Sequence, residues 1–570
     1  DLYKPVKGLS LRAVGGANIL DGQKKEWRRA YGKYGVDGLI STAFGQKSPN
    51  SVTQNNSHRQ YLTGQLIAEY KGVFGKHDIN VLGGWSAEEN LYEDLQGKRT
   101  NIVGNELPAL NLGDTDGWSN AADENEWALL SGFMRASYAF AAKYLVEVNF
   151  RADASSRFSK KNRWGVFPSA SVGWRITEEK FMQNQHIFDN LKLRASWGQL
   201  GNQNGLGLYD HIASYNINGY YPFKSELGQW AVISKLPSES RTWETVEVKN
   251  IAVDMAFLRN RLTVTGEYFI KKNKDMLVSI EIPSIIGIDV PTGNYGELKV
   301  KGWEVTVGWQ DKIKDFSYGA RFNLSDQKDK LVDYGVEYNG FVAGVNQKVQ
   351  GYSLGSIFGY RTDGYFTSEE EVKNSAAFNK AITGVGDIKY IDKDGDGKIS
   401  APNDLEYLGT TTPRYTFGLN LTAAWKGFDL GVLLQGVGKR NFYLSSEVMN
   451  PYYATWNNFS YKMHNDYWTP ENPNAAFPRY YAGANHNYQI SDHWLQNAAY
   501  VRLKNLQLGY TISPKLTKSW GIQRLRVYFS GDNLCEYSKL NDNFDPELSD
   551  INGYVYPIMR NFSFGINVTL

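Results

Sequence analysis

Phe562-Ser563-Phe564-Gly565-Ile566-Asn567-Val568-Thr569-Leu570 closes the chain and decides how the rest is read. Phe562, Phe564, Ile566, Val568 and Leu570 fall on one side of a period-2 pattern, and Ser563, Gly565, Asn567 and Thr569 fall on the other. A strand with one wholly apolar face and one small, polar face suits the wall of a transmembrane β-barrel, with lipid outside and water or a polar plug inside. The wall of a soluble β-sandwich alternates as well. The weight therefore falls on how often the pattern recurs.

It recurs in about seventeen candidate strands. In 145–154, Val146, Val148, Phe150 and Ala152 are expected to face lipid while Glu147, Asn149, Arg151 and Asp153 face inward. In 261–271, Leu262, Val264, Tyr268 and Ile270 oppose Thr263, Thr265, Glu267 and Lys271; in 415–425, Tyr415, Phe417, Leu419, Leu421 and Trp425 oppose Thr416, Asn420 and Thr422. A mid-membrane Arg or Lys on the lipid face costs roughly 2–4 kcal/mol, so the charged set must point inward. Segment 500–512 resists this rule, because Arg502 and Lys504 share parity with Leu506, Leu508 and Tyr510. A bulge, or a strand leaving the bilayer at its start, would reconcile it.

Connections carry the second signal. Short turns join Lys71 to Asp78, Phe140 to Tyr144, Phe257 to Arg261, and Trp425 to Phe428 through Lys426-Gly427. Long connections lie between them, at 89–126, 200–242, 327–414 and 438–498. Short periplasmic turns alternating with long extracellular loops fit a barrel inserted from one side of a membrane. If the C-terminal strand ends inside, counting back makes the strand near 9–20 run from outside to inside, with Asp1 on the outer surface. On that expectation an odd number of strands precedes Asp1, and the chain is the C-terminal part of a larger protein.

Composition allows this and excludes other classes. The 570 residues hold 62 Lys+Arg against 60 Asp+Glu, a net charge of +2, so no global field points to nucleic acid. Mean hydropathy is −0.47. No apolar run approaches the roughly 18 residues of a helical span, whereas barrel strands are half polar. Aromatics reach 14%, with 37 Tyr and 16 Trp, suited to interfacial girdles and ligand-contacting loops. The single Cys535 forms no internal disulfide, and with neither an initiator Met nor a signal peptide the N-terminus reads as processed or missing.

Longer motifs carry a resemblance. Arg151-Ala-Asp-Ala-Ser-Ser-Arg-Phe158, Arg163-Trp-Gly-Val-Phe-Pro-Ser-Ala-Ser-Val-Gly-Trp174 and Leu191-Lys-Leu-Arg-Ala-Ser-Trp-Gly-Gln-Leu-Gly-Asn202 closely resemble the barrel signature of SusC/RagA-like TonB-dependent transporters. Trp243-Glu-Thr245, Gly386-Asp-Ile-Lys-Tyr390, Thr412-Pro-Arg414, Trp468-Thr-Pro-Glu-Asn-Pro473, Pro478-Arg479 and Tyr500-Val-Arg-Leu-Lys-Asn505 follow in the family's order. The resemblance implies an all-β, transmembrane antiparallel barrel of about 22 strands around an N-terminal plug. This chain would supply about 17 of them, with the plug absent. It also implies an outer-membrane location among lipid and lipopolysaccharide, energy from TonB through the missing N-terminal region, and a SusD-like surface lipoprotein as partner. The implied function is import of oligosaccharides or peptides, not catalysis. Residues 1–570 then form the C-terminal barrel portion, and 327–414 a long extracellular insertion.

Two sets of residues are candidates for a site. Asp392-Lys-Asp-Gly-Asp-Gly-Lys-Ile-Ser400 matches the first nine positions of an EF-hand-like loop. Asp392, Asp394 and Asp396 offer oxygens and Lys398 a backbone carbonyl. The usual acid at the twelfth position is Asn403, with Asp404 one residue later. Three carboxylates within five residues repel one another unless neutralised, so a structural divalent cation, Ca2+ first, is expected. The second set is aromatic and lies in the long loops: Trp118; Tyr220, Tyr221 and Trp230; Tyr452, Tyr453 and Trp456. These read as stacking surfaces for substrate or as contacts to a capping partner. The seven histidines show no metal-ligand spacing, and no nucleotide loop or nucleophile–base arrangement stands out. A passive porin or adhesin barrel, and a soluble carbohydrate-binding β-protein, are the competing readings.

Overall fold

The computed structural model describes the chain apart from residues 1, 32–33, 35–37, 39–48, 105, 224–225, 234, 280–284, 286–290, 336–340, 453–460, 482–483, 549–555 and 557. Strands dominate, and no helix among the described residues is long and apolar enough to cross a membrane. The chain divides into two compact units. One comprises Asp1–Val172, Gly198–Val246 and Ser279–Asn294; the other comprises Gly173–Trp197, Glu247–Val278 and Tyr295–Leu570.

The first unit is built on β1 (Leu2–Val6), β2 (Leu9–Arg28), β3 (Ser51–Phe74), β4 (His77–Thr100), β5 (Ser119–Phe140) and β6 (Tyr144–Ser155). Each pairs antiparallel with the next. Gly75 sits in the left-handed region (φ +59°) between Phe74 and His77, and Ala141 and Ala142 do so between β5 and β6, so each turn closes in two or three residues. Register sets the faces. Trp85 lies opposite Leu66 and Gly132, and Leu66, Trp85, Leu130 and Met134 are all exposed on one face. In β6, Val146, Val148 and Phe150 are exposed on that pattern too, while Glu147 accepts from Ser137 Oγ at 2.8 Å on the other face.

Two expectations are corrected here. The 89–126 connection is much shorter, because β4 and β5 stay paired out to Lys98↔Ser119. Polar side chains on both faces hid this continuation from a lipid-face pattern. The strand near 9–20 also runs the other way. Its Leu9 pairs with Tyr70, beside the short Gly75-Lys76 turn, and its Arg28 pairs with Ser51. A tight Lys7-Gly8 turn, with Gly8 at φ +88°, folds β1 back on β2, so the first strand is β1 and the segment near 9–20 is the second. Asp1 lies outside the described residues.

A hairpin of β7 (Tyr215–Phe223) and β8 (Glu226–Ile233) stands in the 200–242 connection. The second unit holds β9 (Leu262–Val278), all but the first two residues of β10 (Gly293–Ile313), β11 (Phe316–Tyr334), β12 (Arg414–Trp425), β13 (Phe428–Lys439), β14 (Tyr500–Thr511), β15 (Arg524–Ser538) and β16 (Asn561–Thr569). From β10 to β16 each strand pairs antiparallel with the next. In β16 Phe564 faces Phe529 with ring centroids 5.3 Å apart, and Ile566 faces Val527. Phe564 is 83% exposed and Val568 51%, so the apolar face is not turned into a dry interior.

The 500–512 anomaly is resolved by a bulge at Lys504. Both neighbours shift register there: Leu503 pairs with Leu434 and Cys535, whereas Asn505 pairs with Leu433 and Asp532. Below the bulge Leu506, Leu508 and Tyr510 keep one face; above it Arg502 turns to the other. There its buried guanidinium meets Glu536, Asp545 at 2.7 Å and Glu547 at 3.0 Å.

Connections 327–414 and 438–498 fold together over one core. Tyr360, Ile388, Leu405, Phe442, Phe477 and Trp494 are among its buried side chains. Three short ladders frame it: Ser356–Tyr360 with Leu405–Thr410, Thr362–Tyr365 with Ile388–Tyr390, and Asn441–Tyr443 with Leu495–Asn497. The insertion is therefore not self-contained.

Candidate functional site

The acidic loop follows directly from the strand Ile388–Tyr390. Gly395 (φ +75°) and Gly397 (φ +82°) let the backbone curl around Asp392, whose two oxygens accept from Gly395 N at 2.7 Å and Gly397 N at 2.8 Å. Those donors, Gly397 above all, hold the Asp392 carboxyl below the usual carboxylate range. Asp404 is buried, and its oxygens accept from Lys393 N at 2.8 Å and Ser400 N at 2.7 Å. Carboxylate oxygens of Asp392, Asp394 and Asp404 come within 4.8 Å of one another. Asp404, not Asn403, thus closes the group; Asn403 Nδ2 instead donates to Asp394 at 2.8 Å. Asp396 stands outside the group and accepts from Lys398 N at 2.8 Å. Lys398 is exposed.

The described loop aromatics sit on separate elements of the chain. Trp118 is exposed at the entry to β5. Tyr220, Tyr221 and Trp230 are exposed on the β7–β8 hairpin. Tyr452 packs edge-on against Tyr480 at 5.5 Å, and Tyr453 and Trp456 lie outside the described residues.

Sequence reading missed the polar centre of the loop core. Asp387, fully buried, accepts from Gly384 N at 2.8 Å, Asn487 Nδ2 at 2.9 Å and Tyr481 OH at 3.0 Å, and pairs with His486 Nε2 at 3.0 Å. Asn487 Oδ1 accepts from Ile388 N at 2.9 Å. The partners are about a hundred residues apart, which no local pattern reveals; the only signal was Asp387 inside Gly386-Asp-Ile-Lys-Tyr390. Other motif residues are also fasteners. Arg414 clasps Asp326 through both Nε and Nη2, and Trp243 packs on Phe158 and Phe167 while donating to Arg163 O at 3.0 Å.

Long antiparallel strands with one exposed apolar face, joined by short turns at one end and elaborate loops at the other, define a membrane-barrel type of wall. The chain belongs to the TonB-dependent receptor family: the family model described as "TonB dependent receptor-like, beta-barrel" matches residues 15–534. It is 30% identical over 530 residues to the TonB-dependent receptor P26 of Formosa agariphila, covering 88% of this chain and 52% of that protein. It is 28% identical over 463 residues to the TonB-dependent receptor SusC of Bacteroides thetaiotaomicron, covering 77% of this chain and 43% of that one. A solved structure of the RagAB peptide importer in the closed-closed state matches its fold with a TM-score of 0.84 at 24% identity, covering 100% of this chain and 61% of that one. The chain is thus SusC/RagA-like and an outer-membrane protein. It spans about half the length of the curated relatives it matches.

Proposed function

We propose that this chain forms the wall and outer loops of a closed outer-membrane barrel that imports oligosaccharides or peptides, driven by TonB and working with a SusD-like surface lipoprotein. The exposed apolar face carries the reading. Each large apolar side chain left in water forgoes roughly 1.5–3 kcal/mol of burial, so the single strand β16, with Phe562, Phe564, Ile566 and Val568, makes an aqueous setting costly. Hydrocarbon removes that cost, and the opposite face, with Arg526 held by Asp429 at 2.5 Å, belongs to the lumen. The outer-membrane location sets the soluble alternative aside. Purifying the intact transporter in mild detergent tests the partnership: a surface lipoprotein should co-migrate. A steady ion conductance of the full-length protein in planar bilayers, with no lipoprotein attached, would instead favour the passive porin.

The acidic loop fits a structural Ca2+ in this scheme. Its donors are hard oxygens, which that ion prefers, and the loop leads back into the core beneath. Calorimetric titration of the intact transporter with Ca2+ should show one site that Asp394→Asn weakens; no heat and no rise in melting temperature would dismiss it.

A further inference from the structure

We infer that the polar face of β3–β5, at the end bearing the long connections, is a binding platform for a carbohydrate chain. The inference rests on the import reading and narrows its substrate to glycans. Register places Tyr61, Asn90 and Trp127 in one row across three strands, and Arg59, Tyr92 and Asn125 in the next row on the same face.

The rings are held, not loose. Tyr61 and Trp127 lie 6.1 Å apart at 45°, and Tyr61 OH donates to Glu88 at 2.6 Å. The Arg59 guanidinium stands 5.2 Å from the Tyr92 ring centre, and Arg157 stands 5.8 Å from that of Trp127. Among the described residues no carboxylate pairs with either guanidinium. Arg157 spends one nitrogen on Leu206 O at 3.0 Å and leaves its buried Nε without a partner. Fixed rings beside unspent planar donors are what a pyranose needs: its C–H face stacks on an aromatic ring while its hydroxyls bind guanidinium, amide and carboxylate edges.

An extended peptide is served poorly here. It would need an open strand edge and pockets for alternate side chains. β3 and β4 are paired on both edges. The edge of β5 beside Trp127 is plugged, with Tyr209 OH accepting from Glu126 N at 2.9 Å and Ser156 Oγ accepting from Ala128 N at 3.0 Å.

Location agrees. Tyr61 lies thirteen residues from Phe74 at the short turn. That is about 44 Å of strand at ~3.4 Å per residue, or about 34 Å along the membrane normal at a tilt of ~40°. The apolar band of such barrels is about 25 Å tall, so the platform stands at the outer mouth.

The test uses the full-length transporter in detergent, presented with an array of neutral plant, algal and fungal oligosaccharides beside a peptide array. The tightest oligosaccharide then serves as the titration probe. Glycan binding should be seen, should weaken at least about tenfold in Trp127→Ala and in Tyr92→Ala, and should return in Trp127→Phe. Tyr61→Phe, which keeps the ring, together with unchanged heat-modifiable migration on gels, controls for folding. Peptide binding without glycan binding, no binding to either array, or glycan affinity untouched by both alanine variants overturns the assignment. Uptake by cells separates the two readings. Energised uptake that persists with unchanged KM in Trp127→Ala sinks the platform and leaves import standing, whereas glycan binding lost in the variant but uptake indifferent to TonB sinks import alone.

Discussion

The strand wall and the loop core are made of the same residue types arranged by opposite rules. In the wall Phe564, Trp85 and Phe150 stand exposed, and the charged partners Arg526 and Asp429 are turned to the other face. In the loop core Trp494, Phe477 and Ile388 are buried, and the charge at Asp387 is surrounded by four hydrogen-bonding groups. The difference is one of solvent. A wall between lipid and water needs only a period of two, whereas a core under water must hide its apolar groups and satisfy every polar one it buries.

The largest effect should come from emptying the core. Trp494 stacks on Tyr488 at 5.6 Å and donates to Asn487 O at 3.1 Å. Trp494→Ala should cost about 3–5 kcal/mol and open the loops, read as accelerated proteolysis within 340–498 while the strands keep their heat-modifiable migration. Trp85→Ala, on the exposed face of β4, should leave both readouts near wild type in detergent. Equal losses from the two would erase the distinction between wall and core.

The next effect needs the bilayer. Phe150→Arg on β6 should lower stability by about 2–4 kcal/mol in urea unfolding from lipid vesicles, whereas Asn149→Arg, one residue away on the other face, should cost far less. Similar costs at both positions would mean that the face alternation does not separate lipid from lumen.

That contrast also explains what could be read from sequence. The wall was legible because its rule is local: parity in 562–570, 145–154 and 415–425 gives the faces without any partner strand. Even the conflict at Arg502 and Lys504 was visible as a break in parity, though choosing the bulge needed both neighbouring strands. The direction of the segment near 9–20 is misread from sequence because the Lys7-Gly8 turn, of the same kind as Lys426-Gly427, makes it the second strand and not the first. The loop core was illegible for a different reason. Asp387 with His486 and Asn487, or Thr362 with Asp492, join segments more than ninety residues apart. No periodicity spans that distance. In the acidic loop the spacing pointed to Asp392, Asp394, Asp396 and Asp404, and the fold brings Asp392, Asp394 and Asp404 together while leaving Asp396 outside the group. The Tyr61–Trp127 platform was hidden because its rows run across strands, not along them.

The smallest effect is a dependence on pH that belongs to the core and not to the wall. His464 is buried with Nδ1 accepting from Tyr461 N at 2.9 Å and Nε2 donating to Val448 O at 2.8 Å. Its ring packs against Tyr461, Phe477 and Tyr480, and among the described residues neither its ring contacts nor its hydrogen bonds bring it a charged group. Burial holds its pKa below the usual histidine value, and His493, whose Nε2 lies 3.1 Å from Ala476 O, is lowered for the same reason. A depressed folded-state pKa means that the neutral form is the one that fits. The contribution to stability is then complete above about pH 6.5, the unfolded value, and is lost progressively as pH falls below it. A second proton on Nδ1 would also set two N–H groups against each other at Tyr461. Proteolysis of the 438–498 segment should therefore quicken as pH drops from 7 toward 5, while the strand wall, followed by its migration, stays unchanged over that range. His464→Phe should make the segment uniformly weaker and flatten its pH response. A segment that loosened with acid to the same degree in that variant would place the titrating group elsewhere in the core.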